Sequence, residues 1–180
     1  MSSGRPRATS RATIAEAASE LFLERGYAET TVADITTRAG VSRSTFFNYF
    51  SSKADVLWSG FDERADTACA TLAAGADPVS ALRALVDGFA PDSLALAITH
   101  AAAMGMEADL ATERALRTAR LARAVSGGLV DAGAGRHAHD VRRGDVAGAL
   151  LAAVWAWAVA GPGRSALAPL WEDALALAKG

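Results

Sequence analysis

Residues Thr30 to Lys53 read TTVADITTRAGVSRSTFFNYFSSK, and the order of caps, apolar anchors and polar positions in this stretch decides the fold. Thr31 and Asp34 have nearly the spacing of a capping box, with Asp in place of the usual Glu or Gln, so a helix starts at Thr31. Val32, Ile35 and Ala39 share one face of it. Gly40 stands where a helix needs a left-handed terminator, which glycine adopts cheaply. Val41 is apolar and plugs the turn, and Ser42 is a good N-cap for a second helix anchored by Phe46 and Phe50 at i and i+4. The remaining side chains of that helix are Arg43, Ser44, Thr45, Asn48 and Tyr49, all hydrogen-bonding and only one charged. That is the chemistry of a helix that reads base edges and phosphates in a major groove.

Thr-Thr-Val-x-Asp-Ile, Ala-Gly-Val-Ser, Ser-Thr-Phe-Phe-x-Tyr-Phe and the following Ser-Lys resemble the DNA-binding domain of TetR-family transcriptional regulators over about residues 9–60. The resemblance implies an N-terminal three-helix head over residues 1–52 and an effector-binding and dimerisation domain over residues 53–180. One departure is Phe47, where the family often has a tyrosine whose hydroxyl meets a phosphate; Tyr49 is the nearby replacement.

The whole chain has 180 residues, is 51% hydrophobic and carries a net charge of −2, so it folds and has no global attraction to nucleic acid. It is alanine-rich and lacks an alternating apolar pattern of strand length, which indicates an all-α fold. The single cysteine, Cys69, excludes an internal disulfide and a Cys-based zinc site. The first residues are polar and basic without an apolar segment, so the expected location is the cytoplasm. Arg5, Arg7 and Arg11 form a basic leader that fits phosphate or minor-groove contact, and equally a solubilising tail.

The pattern predicts about nine helices. The first, ending near Arg25, buries Ile14, Ala17, Ala18, Leu21 and Phe22, with Tyr27 packed back onto it. A fourth runs unbroken from Lys53 to Ala74 and joins the two regions, so it serves as a lever. Asp77 and Pro78 open the fifth, and the sixth spans Leu94 to Met104. On the seventh, Arg114, Arg117, Arg120 and Arg123 read as solvated, with Glu113 and Arg117 an ordinary i, i+4 pair. Residues 131–139 read as a loop carrying His137 and His139, without the partners of a metal site. Asp140 caps the eighth helix, whose apolar run Val146–Ala160 is shorter than the roughly 20 residues of a membrane span. The ninth covers Ser165 to Lys179.

A helix apolar on all sides must be covered on all sides. The resemblance implies a homodimer through the last two helices, with Leu150, Val154, Trp155, Trp157, Leu170 and Trp171 at the interface; a wholly intramolecular core is the other reading. Trp58, Phe61, Phe89, His100 and Met104 fit either a packed core or an adaptable cavity, and the resemblance implies a pocket for a small, largely apolar effector. No nucleophile elbow, phosphate loop, zinc motif or paired carboxylate is present, so neither enzyme activity nor a cofactor is expected. The expected function is a ligand-responsive regulator, a repressor on a palindromic double-stranded DNA operator. It would bind through Ser42–Tyr49, Ser44 included, with Thr31 and Lys53 fixing the backbone; Arg43 and Asn48 would discriminate bases, and Thr45 and Tyr49 would meet phosphate or a thymine methyl. The rival is a helical protein-interaction adaptor, which would lack salt-dependent binding to duplex DNA.

Overall fold

The computed structural model describes residues 10–90, 92–127, 136–161 and 163–178, with the backbone alone described at 127 and 136–144. Among the described residues the fold is all-α, with ten helices, one 3-10 turn and no strand. The N-terminal head is α1 (Ser10–Arg25), α2 (Val32–Ala39) and α3 (Arg43–Tyr49). The apolar stripe of α1 is buried as its spacing requires: Ile14, Ala17, Ala18, Leu21 and Phe22. Tyr27 folds back so that its ring lies 5.2 Å from that of Phe22.

The α2–α3 connection forms from local signals. The Thr31 hydroxyl accepts the Asp34 amide while the Asp34 carboxylate accepts the Thr31 amide, completing the box. Gly40 takes φ 65°, and the amides of Gly40 and Val41 close onto Thr37 and Thr36 carbonyls at 3.2 and 3.0 Å. A Cβ at Gly40 would meet nothing within 4 Å. Gly40→Ala is therefore expected to cost only the backbone strain of a left-handed non-glycine residue, about 1–2 kcal/mol in urea unfolding. A larger loss would reveal a contact that the open space does not provide.

The second region begins with a 3-10 turn at Asp55–Trp58, followed by α4 (Ser59–Ala73), α5 (Pro78–Val86), α6 (Ser93–Thr99), α7 (Ala101–Met104), α8 (Glu107–Gly127), α9 (Arg136–Ala160) and α10 (Leu167–Leu177). α9 packs between α8 and α10, α6 lies on α9, and α5 bridges α4 and α10. Four sequence expectations are corrected. The fourth helix does not run unbroken from Lys53, because its first turn is the 3-10 segment. The sixth helix breaks at His100, and its second piece ends at Gly105 with φ 63°. His137, His139 and Asp140 lie within α9 rather than in or after a loop, while residues 131–135 fall outside the described ones. The last helix is shorter, and Leu167, Trp171 and Leu175 form its buried row.

Arg117 is the largest correction. It is 6% exposed rather than solvated. Its guanidinium meets Asp62 at 2.5 and 2.9 Å, Asp55 at 2.6 Å and Glu113 at 2.6 Å, and lies 4.5 Å from the centre of the Trp58 ring. Burial alone would lower its basicity, but Asp62, Asp55 and Glu113 together raise it. Arg114 lies over Trp155, and Arg120 bonds Asp66.

Candidate nucleic-acid interface

α3 has only seven residues and cannot hold its shape alone, so its geometry comes from caps and anchors. Phe46 and Phe50 are buried beneath it, their rings 5.7 Å apart. Ser42 accepts the Thr45 amide at 3.0 Å and exchanges hydroxyl bonds with Ser44 and Thr45, both at 2.8 Å. The Ser42 oxygen is thus largely spent on the cap, as is the Thr31 hydroxyl, which also donates to Asp34 at 2.6 Å. Arg43, Ser44, Asn48 and Tyr49 are exposed, while Thr45 is half-buried. The helix therefore offers water one guanidinium, one carboxamide and one phenol.

Phe47 is exposed and carries Arg43 on its ring, with the guanidinium 5.5 Å from the centroid. Phe47 is itself held edge-on by Phe46, with 5.2 Å between ring centres and an angle of 82°. The departure from the family pattern thus gives Arg43 a platform that limits its rotamers. Among the described arginines of α1–α3, Arg11, Arg25 and Arg38 each have a carboxylate within 4 Å, at Asp62 (3.8 Å), Asp34 (3.6 Å) and Glu24 (2.7 Å). Arg43 has no such partner among the described residues and is the cation left for a phosphate or base. Arg11 belongs to the interior, its guanidinium 5.2 Å from the Phe50 ring centre, and Arg5 and Arg7 lie outside the described residues.

Lys53 was expected at the DNA backbone. Its ammonium donates to the carbonyls of Tyr27 and Thr30 at 2.6 and 3.0 Å and sits 4.1 Å from the Tyr27 ring centre. Burial pushes it below the usual lysine range, against the pull of Asp109 and Glu29. Its first task is to tie the α1–α2 loop, with one N–H left over.

The head is fastened to the second region by polar pairs that sequence reading missed. Tyr27 donates to Asp109 at 2.6 Å and Ser52 donates to Glu113 at 2.8 Å, while within the second region Asp55 and Asp62 share Arg117. Burial and the Asp109 bond push the Tyr27 phenol well above its ordinary range. These partners lie 55 to 82 residues apart, so no local spacing points to them.

The expected pocket residues do not converge. Trp58 and Phe61 meet edge to face, Phe61 meets Phe89, and Phe89 meets Trp157, with ring centres 5.5 to 6.5 Å apart. They fill one another's space, so Trp58, Phe61 and Phe89 are core. His100 is exposed at the α6–α7 joint. Met104 lines a cavity of about 340 Å³ against α1.

Four of the six expected interface residues are likewise corrected. Leu150, Val154, Trp157 and Trp171 are buried within the single chain, and the Trp157 indole donates to Ser165 at 2.9 Å. Trp155 and Leu170 are half-buried. The face of α9 left in water is Ala152, Ala156 and Val159, flanked by Gly148, with Ala174 and Leu177 on the adjoining face of α10. No described helix is long and apolar enough to cross a membrane, and no cluster of three metal-ligating residues occurs among the described ones.

Residues 14–58 match the family described as bacterial regulatory proteins, tetR family. The chain is similar to the HTH-type transcriptional regulator TtgR of Pseudomonas putida, 42% identical over 57 residues, which is 32% of this chain and 27% of the relative. It is also similar to the HTH-type transcriptional activator FasR of Mycolicibacterium smegmatis, 33% identical over 88 residues, covering 47% of this chain and 40% of the relative. Both likenesses thus span less than half of the curated relatives' length. Across the whole fold, the chain is similar to FadR of Thermus thermophilus, a TetR-family repressor solved with lauroyl-CoA, with 29% identity, a TM-score of 0.53, and coverage of 94% of this chain and 93% of the other. These relatives are regulators rather than enzymes. With its capped two-helix reader, its phenylalanine anchors and this agreement over residues 14–58, the N-terminal head is similar to the DNA-binding region of the tetR family of bacterial regulatory proteins.

Proposed function

We propose that this chain is a ligand-responsive transcriptional repressor, a cytoplasmic homodimer that grips a palindromic DNA operator through residues 1–52 and receives its effector and its partner through residues 53–180. The carrying observation is the exposed surface of α3: an unpaired Arg43 seated on Phe47, with Asn48 and Tyr49 beside it on a helix pinned by Phe46 and Phe50. Arginine suits guanine and asparagine suits adenine by paired hydrogen bonds, and a tyrosine hydroxyl suits phosphate. The dimer would use the small-residue face at Gly148, Ala152, Ala156 and Val159 with Leu170, Ala174 and Leu177 of α10, because one head contacts too few base pairs and two heads match half-sites about 34–36 Å apart. Ala152, Ala156 and Val159 are exposed on α9 in the single chain. The lauroyl chain of the Thermus relative's ligand supports an effector with an apolar tail. An effector acts by binding better to one spacing of the heads than to the other.

Selection of bound duplexes from a random pool gives the operator. On it, Arg43→Ala should weaken binding by about 1–3 kcal/mol and relax one base position, read by fluorescence anisotropy on single-base variants. Equal weakening on every duplex would assign Arg43 to phosphate alone. Transcription from an operator-bearing promoter sets the sign of regulation, and loss of signal on adding the protein is the result that repression requires.

A further inference from the structure

We propose that the cavity between α1 and the α6–α7 pair binds a small apolar molecule with a neutral or cationic, hydrogen-bond-donating head, and that its occupancy shifts the seating of the DNA-reading head. The consequence rests on the regulatory reading above, whereas the binding does not.

The cavity holds about 340 Å³, within the range of small-molecule pockets. Its apolar walls come from three places: Phe22 and Leu23 of α1, Leu57 of the 3-10 turn, and Leu96 and Met104 of the α6–α7 pair. It is therefore a space between the head and the second region, not a packing gap inside either. Leu23 is 74% exposed and Leu96 43% exposed, so a large aliphatic side chain stands in water on each lip. An apolar guest removes both from water at once.

Charge selects the guest's head. The polar lining is Asp92 with Ser19 and Ser93, and no lysine or arginine lines the cavity among the described residues. The Asp92 carboxylate is fixed: one oxygen accepts the Ala95 amide at 3.1 Å, and the other lies 3.0 Å from where a Cβ would stand on Gly60. Burial pushes this carboxyl up, while amides at the start of α6 and the charge of Arg64 pull it back. Arg64 does not neutralise it by contact, since its guanidinium is spent on the carbonyls of Leu85, Asp87 and Gly88. A half-buried carboxylate without a paired cation attracts a donor or cation and repels an anion.

Position supplies the consequence. One wall is α1, the helix that underlies the reader and grips Arg38 of α2 through Glu20 and Glu24. The opposite wall is interrupted at His100 and at Gly105, where the helical ladder is broken. α1 meets the second region again at Arg11, 3.8 Å from Asp62, which Arg117 holds in place. A guest seated between α1 and the α6–α7 pair therefore presses on the helix that carries the reader and changes how the head sits on the second region.

The test titrates the full chain calorimetrically with 4-phenylbutylamine, 4-phenylbutanol and 4-phenylbutyrate. The amine and the alcohol should bind once per chain, and the carboxylate more weakly by about tenfold or more. A second variant, Leu23→Lys with Asp92→Asn, should reverse the order of amine and carboxylate. It should remain folded, because Leu23 is exposed and asparagine keeps the cap on α6. No binding by the amine, equal binding of amine and carboxylate, or an unreversed order in that variant overturns the site. With the selected operator, saturating amine should lower affinity by about fivefold or more. Unchanged operator affinity overturns the coupling. A chain that follows the amine series yet binds no duplex at any salt concentration overturns the regulatory reading and the coupling together, and leaves the site standing.

Discussion

Arg117→Leu should destabilise the chain by about 3–5 kcal/mol, the range expected when one member of a buried ion network is removed. The side chains of Arg117, Asp62 and Glu113 are 7%, 10% and 7% exposed, and that of Asp55 is 16% exposed. Without the guanidinium, three carboxylates stand together with little water. The cations near the cluster, Arg11 and Arg120, are 3.8 and 3.9 Å from Asp62 and too loosely held to replace it. The carboxylates would then be raised above their unfolded values. A group raised in the folded state adds stability below its unfolded pKa and loses it as pH climbs. The deficit of the variant relative to the native chain should therefore shrink toward about pH 4 and grow toward neutrality. Urea unfolding at several pH values measures this, and a deficit independent of pH would show that packing on Trp58, not charge, sets the loss. Arg117→Leu with Asp62→Leu should recover part of the deficit, since removing both partners leaves less uncompensated charge.

Ala152→Glu should abolish dimerisation and cost about 10²–10⁴-fold in operator affinity, the advantage that linking two heads provides. Ala152 is exposed in the single chain, and both alanine and glutamate favour helix, so the monomer should fold with unchanged helicity. In the proposed dimer the new carboxylate would stand against the partner's equivalent face, and close backbone approach at the neighbouring Gly148 would be lost. Ala115→Glu, an exposed alanine on α8, is the control and should leave both properties intact. Sedimentation and anisotropy decide the matter. A native chain that is already monomeric at micromolar concentration, or a monomeric variant with full affinity, removes this face as the interface.

The head was legible in the sequence because its signals are short-range. The Thr31–Asp34 box, the Gly40 terminator, the Ser42 cap and the Phe46–Phe50 pair each act within about one turn of helix, where spacing alone fixes geometry. The stripe on α1 was legible for the same reason. Arg117 was not, because its carboxylates at Asp55 and Asp62 arrive from more than 50 positions away, and its local pair with Glu113 reads the same whether solvated or buried. The apolar run on α9 correctly indicated a helix covered on most sides, but not which neighbour covers which side. Trp157 and Trp171 proved to belong to the chain's own core, and small alanines were left outside. For the aromatic cluster, the sequence supplied composition without contact, and only the edge-to-face chain from Trp58 to Trp157 shows that these rings occupy the space a guest would need.

The 3-10 turn at Asp55–Trp58 also sets the phase of the molecule. A 3-10 segment advances about 2.0 Å and 120° per residue, an α-helix about 1.5 Å and 100°. Over these four residues the difference is about 2 Å of length and about 80° of rotation around the axis of α4. The head is thus set on the second region like a nut at one angle on its thread. Its angle about the axis of α4 follows from those four residues, and a regular α-helix there would present a different face of the head to the second region.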